Sequence, residues 1–381
     1  NRLSHLRHSP YTVKDSFDFV NKIQRSPHAD KMMVSFDVTS LFTKVPLTFT
    51  INYILDRMYP SCSSPCTGRT KKCMACKRRQ DFETLLRTAT SETHFLFDNK
   101  LYVQHDGVAM GAPLAPVIAD IFMAHLETTL MDKLTELGVC EWHRYVDDTF
   151  VLVDPTAKVS EILDVLNQFH PSIKFTHEVE ENQSIPFLDV LISRYPQHGT
   201  FETTIYRKAT FTGLMINWNS FVPLQYKRAS VMSMVRRALA ICSTYSALTN
   251  EFDEIRRIAL NNDYPRNFID TSIGIGLSQY RNRESGQQQK PIGCEKKQMY
   301  VEIPYVDRAT STLKKQITHL AGAIRPDLDI RFFAKPPPSI QTLFQAKDPI
   351  LKPMQSDVVY SVQCSDCSHS YIGKTQRQSI R

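Results

Sequence analysis

The sequence predicts an α+β fold, and three observations carry that expectation. Residues 31–153 alternate β-rich runs with helical ones. Residues 227–261 hold two helical segments and no strand between them. The 381 residues are 42% hydrophobic and 10% aromatic, enough apolar matter for a sizeable core spread over about two domains. No apolar run approaches the ~18 residues of a membrane-crossing helix, so no membrane partner is expected.

Each element follows from its pattern. Lys31 to Val38 is a β-rich run that carries Asp37 near its end. Phe95 to Gln104 sets Asp98–Asn99 between apolar stretches, which reads as a hairpin. Leu114 to Leu137 repeats Ile118, Ile121, Phe122, His125, Leu126, Leu130, Leu134 and Leu137 at helical spacing. Trp142 to Val153 is β-rich around Asp147–Asp148, which sets those acids at a hairpin turn. Val159 to Phe169 reads as helix, and Ile173 to Arg194 as strand, polar turn, strand. Lys227 to Ser243 and Asn250 to Asn261 are helical, and Tyr280 to Pro291 lacks apolar periodicity and reads as a linker. A strand at Met299 to Tyr305, a helix through Leu313 and Leu320 and a strand near Ile330 to Phe333 follow. Beyond the break at Pro336–Pro338, Val358 to Arg381 reads as a hairpin entering a helix.

Charge narrows the partners. Forty-six basic against 39 acidic residues leave +7, and the excess is clustered. Tyr206 to Arg237 holds Arg207, Lys208, Lys227, Arg228, Arg236 and Arg237 without one acid, and Gly68 to Arg79 holds six more cations, also without one. Such patches fit a phosphate backbone. Nine cysteines, an odd count in a chain this long, argue for a reduced intracellular protein over a secreted disulfide framework. Cys62, Cys66, Cys73 and Cys76 are spaced either to close a tetrahedral zinc site or to sit as thiols in an inserted loop, and Cys364 with Cys367 would make half of another site.

Three carboxylates carry the chemistry. Asp147 and Asp148 are adjacent, and two like charges ~4 Å apart cost about 4 kcal/mol at an effective dielectric near 20. Either the turn is solvated or a divalent cation offsets the repulsion. Magnesium binds through one or two carboxylates plus substrate phosphates, and a pair of ions can activate a hydroxyl and stabilise a leaving group.

The order of motifs resembles the palm of reverse transcriptases: Ser35-Phe36-Asp37-Val38-Thr39-Ser40-Leu41-Phe42, then Gly107-Val108-Ala109-Met110-Gly111-Ala112-Pro113-Leu114-Ala115-Pro116, then Tyr145-Val146-Asp147-Asp148, with Ile185-Pro186-Phe187-Leu188-Asp189-Val190 resembling the closing hairpin near the primer. The resemblance implies a right-hand polymerase with a ferredoxin-like βαββαβ palm and a helical thumb. It implies that Asp37, Asp147 and Asp148 hold two Mg²⁺, that Phe42 is the gate reading the sugar, and that Gly111 and Pro113 shape the contact with template or nucleotide. Arg207, Lys208, Lys227 and Arg228 would grip the primer–template, and Lys174 would be a general acid or a plain surface lysine. The partners would be an RNA template, a DNA primer and deoxynucleoside triphosphates.

Phe36 to Leu47, Phe187 to Val190 and Tyr206-Arg207-Lys208-Ala209-Thr210 resemble Penelope-like retroelements, which join a reverse transcriptase to a GIY-YIG endonuclease. Tyr360, Tyr371, Gly373 and Arg381 match the start of that nuclease, whose downstream glutamate is not in this sequence, so no nicking by this chain is expected. The implied layout is a palm with partial fingers over residues 1–200 with a Cys-rich insertion at 60–80, a helix-turn-helix-like thumb over 201–270, a connector over 271–350, and the nuclease portion over 351–381. Only 36 residues precede Asp37 and the first is Asn1, which reads as an internal fragment or a truncated gene copy; the expected location is intracellular, in the nucleus, with no targeting signal visible. The competing expectation is a catalytically silent nucleic-acid-binding remnant of such an element.

Overall fold

The computed structural model describes residues 3–7, 9–59, 73–91, 93–98, 100–195, 199–284, 297–338, 358–363, 367 and 370–375. After a 3-10 turn at Ser4–Leu6, the elements run α1 (Ser16–Ile23), β1 (Met32–Val38), α2 (Leu41–Lys44), α3 (Leu47–Met58), α4 (Met74–Thr90), β2 (Thr93–Phe97), β3 (Lys100–Gln104), α5 (Ala115–Glu136), β4 (Val139–Tyr145), β5 (Asp148–Val153), α6 (Val159–Gln168) and β6 (Phe175–Val179). There follow β7 (Ser184–Phe187), β8 (Val190–Tyr195), β9 (Thr200–Ile205), α7 (Leu224–Ile241), α8 (Tyr245–Asn261), α9 (Arg266–Glu284), β10 (Lys297–Pro304), α10 (Asp307–Ile324), β11 (Leu328–Lys335), β12 (Val358–Gln363) and β13 (Ser370–Thr375). They form two units, one of Asn1–Pro46 with Pro116–Pro337, the other of Leu47–Ala115 with Pro338–Arg381.

The first unit is organised by a four-stranded sheet of order β4-β5-β1-β6, antiparallel at every pairing. With α5 between β1 and β4, and α6 between β5 and β6, the chain order β1-α5-β4-β5-α6-β6 is the ferredoxin-like βαββαβ arrangement expected of a palm. The period of two along β1 decides the faces. Val34, Phe36 and Val38 are buried toward one side, where Phe36 stacks on Trp142 of β4, and the Trp142 indole donates to Glu127 of α5. Met33, Ser35 and Asp37 take the other side. There Met33, Phe150 and Leu152 join Phe19, Val20 and Ile23 of α1 and Ile185, Phe187, Val190 and Ile192 of a second sheet in one apolar cluster. That second sheet, β7-β8-β9, is antiparallel throughout. The strand, turn, strand expected over 173–194 is therefore three strands, the first in the palm and the next two in this cover.

Helices α7, α8 and α9 pack around Val231, Val235, Ala238, Phe252, Ile255, Ile269 and Ile273. Gly276 of α9 lies against Val235, where an added Cβ would meet Cγ1 at 2.5 Å, so the two helices approach through a missing side chain. Helix α9 was not expected; its run of Thr, Ser and Gly between 271 and 278 dilutes the helical pattern. It runs through residue 270 and on to Glu284, so the linker expected from Tyr280 begins as helix, and its remainder lies outside the described residues. The expected order of strand, helix and strand appears as β10, α10 and β11, and the two strands pair in parallel.

In the second unit, α3 buries Thr50, Ile51, Ile54 and Leu55, and Arg79 of α4 bonds the Asp56 carboxylate at 2.7 Å and the Tyr59 carbonyl at 3.0 Å. Strands β2 and β3 form the expected hairpin. Strands β12 and β13 pair antiparallel, setting Tyr360 opposite Gly373 and Val362 opposite Tyr371; the helix expected after them lies outside the described residues. Among the described residues no helix is long and apolar enough to cross a membrane.

Candidate active site

Strand register brings the distant acids together. Phe36 pairs with Thr149 and Tyr145 pairs with Asp148, so continuing the β1–β5 register by one residue sets Asp37 across from Asp148. The β4–β5 connection is a two-residue turn, Val146–Asp147. Val146 sits at φ +57°, a left-handed conformation that crowds a β-branched side chain. Asp147 is the second turn residue and Asp148 the first of β5.

Asp37 and Asp148 open onto a cavity of 790 Å³. The palm contributes Ser35, Asp37, Tyr145, Asp148 and the β6 residues Thr176, His177 and Glu178. Asp15 and Ser16 at the start of α1, the hairpin tip Pro186 to Asp189, and Tyr206 with Lys208, Ala209 and Thr210 complete the walls. Leu188 and Asp189 form the β7–β8 turn with φ of +49° and +60°, values this kind of turn usually gives to Asn-Gly.

The carboxylates repel one another. Burial pushes Asp148 up, and the charges of Asp147 and Asp37 push further, to about 6, with Lys208 pulling the other way. Burial likewise raises Asp37, aided by Asp147 and Glu178 and opposed by a hydrogen bond from the Val38 backbone. A set of hard oxygen donors crowded by its own charge suits a hard divalent cation such as Mg²⁺. Among the described residues no preformed group of three or more His, Cys, Asp or Glu side chains is arranged to hold a metal ion, so the fit rests on the donor chemistry and the shared field.

Behind the turn lies a buried polar network that the motif pattern did not reveal. Arg144 of β4 is fully buried, its Nε donating to Glu127 Oε1 at 2.5 Å and its terminal nitrogens to the Val146 carbonyl at 3.1 Å and Thr12 Oγ1 at 3.2 Å. Asp120, two turns before Glu127 on α5, lies 3.6 Å from Arg144 as well, and the sequence signals were these two acids among apolar neighbours on one helix and an arginine inside a β-rich run.

The other candidates fall in several places. Lys208 lines the cavity and acts on Asp148. Lys174 is exposed and not among the lining residues; its backbone carbonyl accepts from Thr39 at 2.9 Å. Phe42 is half-buried on α2 and also absent from the lining. Gly111, at φ +89°, meets nothing within 4 Å of an added Cβ, so it is the backbone conformation that calls for glycine; Pro113 lies just before α5. Arg207 is bound by Glu251 of α8, Lys227 donates to the Trp218 carbonyl at 2.5 Å, and Arg228 lies 5.7 Å over the Phe268 ring. These three cations are therefore already engaged within the fold. Cys73 caps α4 by accepting from the Cys76 amide at 3.4 Å, and Cys367 is exposed. Cys62, Cys66, Cys364 and Arg381 lie outside the described residues.

Residues 2–180 match the family described as reverse transcriptase (RNA-dependent DNA polymerase), and residues 214–274 match the animal helix-turn-helix domain. No protein of curated function matches the chain. Among solved structures, telomerase from Candida albicans with a TWJ fragment of telomeric RNA is similar at 11% identity and a TM-score of 0.48, over 73% of this chain and 46% of that one. Apo telomerase from Candida tropicalis is similar at 14% and 0.42, over 74% and 50%, and the Sicinivirus 3Dpol RNA-dependent RNA polymerase at 13% and 0.39, over 69% and 54%. The chain spans about half the length of these structures. By sequence family, then, residues 2–180 match a reverse transcriptase domain, and the span of α7, α8 and the start of α9 matches a helix-turn-helix domain.

Proposed function

We propose that the chain is the polymerase of a retroelement of the Penelope-like kind, copying an RNA template onto a DNA primer. The observation that carries this is the meeting of Asp37 with the Asp147–Asp148 turn at one end of an antiparallel βαββαβ sheet, beside a cavity. In the reaction a primer 3′-hydroxyl attacks the α-phosphate of a deoxynucleoside triphosphate and pyrophosphate leaves. Asp37, Asp147 and Asp148 would hold two Mg²⁺, which when bound lower the hydroxyl's pKa and offset charge on the phosphates.

The chain's own groups do the rest. The sheet end fixes the carboxylates without side-chain search, because each stands on a strand or its tight turn. Lys208 supplies the cation that a phosphate in this cavity meets. The β7–β8 turn, anchored through Asp189 to Arg237 of α7 at 3.0 Å, gives the primer end a wall tied to the helical module. We assign β12 and β13 to the start of a GIY-YIG nuclease and the whole protein to the nucleus, on the sequence motifs alone.

Primer extension on an RNA template tests the reading. The intact chain is expected to add deoxynucleotides with Mg²⁺, and Asp147→Asn to abolish addition while primer–template binding persists. Binding without any addition by the wild-type chain would refute the polymerase and favour a silent remnant.

A further inference from the structure

We infer that Arg144 is a positioning residue: its buried guanidinium holds the carbonyl of Val146 and so fixes the turn that presents Asp147 and Asp148. The inference rests on the polymerase reading only for its consequence in catalysis.

The first ground is what Arg144 costs. It is 0% exposed and its partner Glu127 is 1% exposed. A buried ion pair contributes little net stability, and apolar residues of the same volume often do as well. Its presence is explained by what the fork can reach at once. Arg144 Nε bonds Glu127, one terminal nitrogen bonds Thr12 Oγ1, and the other bonds the Val146 carbonyl at 3.1 Å. Only a planar fork can serve three directions from one position.

The second ground is the turn itself. Val146 holds φ +57°, where a β-branched residue is strained, so the backbone has a reason to relax. The peptide between Val146 and Asp147 is the hinge of any such relaxation, and its oxygen is the atom Arg144 grips. Rotation of that peptide would carry the Asp147 carboxylate away from Asp37 and Asp148.

The third ground is the support behind the fork. Glu127 also accepts from Ser9 Oγ at 2.5 Å and from the Trp142 indole at 3.1 Å, so the anchor cannot swing. The backbone of Arg144 donates to Tyr11 at 2.8 Å and accepts from Val13 at 2.9 Å. The segment from Ser9 to Val13 is thereby stitched along β4, and it leads into Asp15 and Ser16 of the cavity wall.

The test uses the full chain and two variants. In the double variant Arg144→Met with Glu127→Gln, the buried charges leave together while an amide oxygen remains to accept from Ser9 and the Trp142 indole, so the fold is expected to persist. In Arg144→Lys, the charge stays opposite Glu127 but one ammonium cannot serve both Glu127 and Val146. Amide hydrogen exchange is followed in the peptide spanning 142–150 and, as a control, in α7. Both variants are expected to speed exchange at the turn roughly tenfold or more, the loss of one charge-assisted hydrogen bond, with α7 unchanged. Primer extension is expected to lose kcat by a similar factor at unchanged KM for primer–template. Turn amides exchanging as in wild type in either folded variant, or faster exchange spread equally over α7, overturn the inference. Wild-type protein that never extends a primer, with variants that still show the local exchange response, overturns the polymerase reading and leaves the positioning role standing.

Discussion

Replacing Asp148 by asparagine separates what the acid costs the fold from what it gives the site. The fold raises its carboxyl from 3.8 to about 6. A raised carboxyl favours the native state while protonated; that contribution is complete below pH 4 and is lost as the pH climbs through 6. Two pH units correspond to about 3 kcal/mol. Asp148 keeps an exposed edge, so solvent screening reduces this to about 1 kcal/mol. Asp148→Asn is therefore expected to stabilise the palm by about 1 kcal/mol at pH 7.5 and by almost nothing at pH 4. The chain has two tryptophans, and in a Trp218→Phe background Trp142, buried against α5 and Phe36, reports palm unfolding in urea. Equal stability of the two proteins at pH 7.5, or a gain just as large at pH 4, would show that the acids do not share one field.

Three further outcomes are expected. Gly276→Ala forces a methyl to within 2.5 Å of Val235 Cγ1, and overpacking should outweigh the gain in helix propensity, lowering stability by about 1–2 kcal/mol in thermal unfolding. Thr203→Val removes a buried hydroxyl that donates to the Ile241 carbonyl at 2.6 Å and accepts from Gln24 at 3.1 Å, which should cost about 1–2 kcal/mol in urea unfolding. Val146→Gly relieves a left-handed β-branched residue and adds backbone entropy to the unfolded chain; the net should be a stability gain of no more than about 1 kcal/mol, while primer extension slows because the turn loses stiffness.

How much of this was legible follows from the range of each signal. The strand carrying Asp37 and the hairpin carrying Asp147–Asp148 show in β-rich composition, and the long helix between them in the spacing of its apolar residues, signals that a local window contains. The convergence of the acids was legible only through the order of the motifs, since register between β1 and β5 is set by packing that no local window contains. Lys208 shows why cation clusters mislead. It stands beside Arg207 in sequence, yet Lys208 faces the cavity while Arg207 turns to Glu251, a partner 44 residues away. Helix α9 was hidden because its apolar face is short, Phe268, Ile269 and Ile273 followed by Gly276 where the helix meets Val235 of α7, and the glycines and hydroxyl residues around them weaken the helical pattern. The Arg144 network was hidden for the opposite reason: its partners at Ser9, Thr12 and Glu127 are each unremarkable until the fold joins them.

Two turns with left-handed backbone lead into the cavity wall, and that coincidence has a physical basis. Val146 and the Leu188–Asp189 pair adopt left-handed backbone without glycine, each at a cost of order 1–3 kcal/mol. Such turns persist only if the surroundings over-determine them, and here each is held by an arginine rooted elsewhere. Arg144 ties Val146 to α5 and to the N-terminal segment, and Arg237 ties Asp189 to α7, while the Tyr206 amide donates to the Asp189 carbonyl at 2.9 Å. Tethered turns supply stiffness at the acids without filling the cavity with side chains, which is what the proposed polymerase reaction would need. Strain at Val146 and at Leu188–Asp189 is thus the consequence of presenting short carboxylates from tight turns, and the buried charges of Arg144 and Glu127 are the consequence of holding such a turn in place.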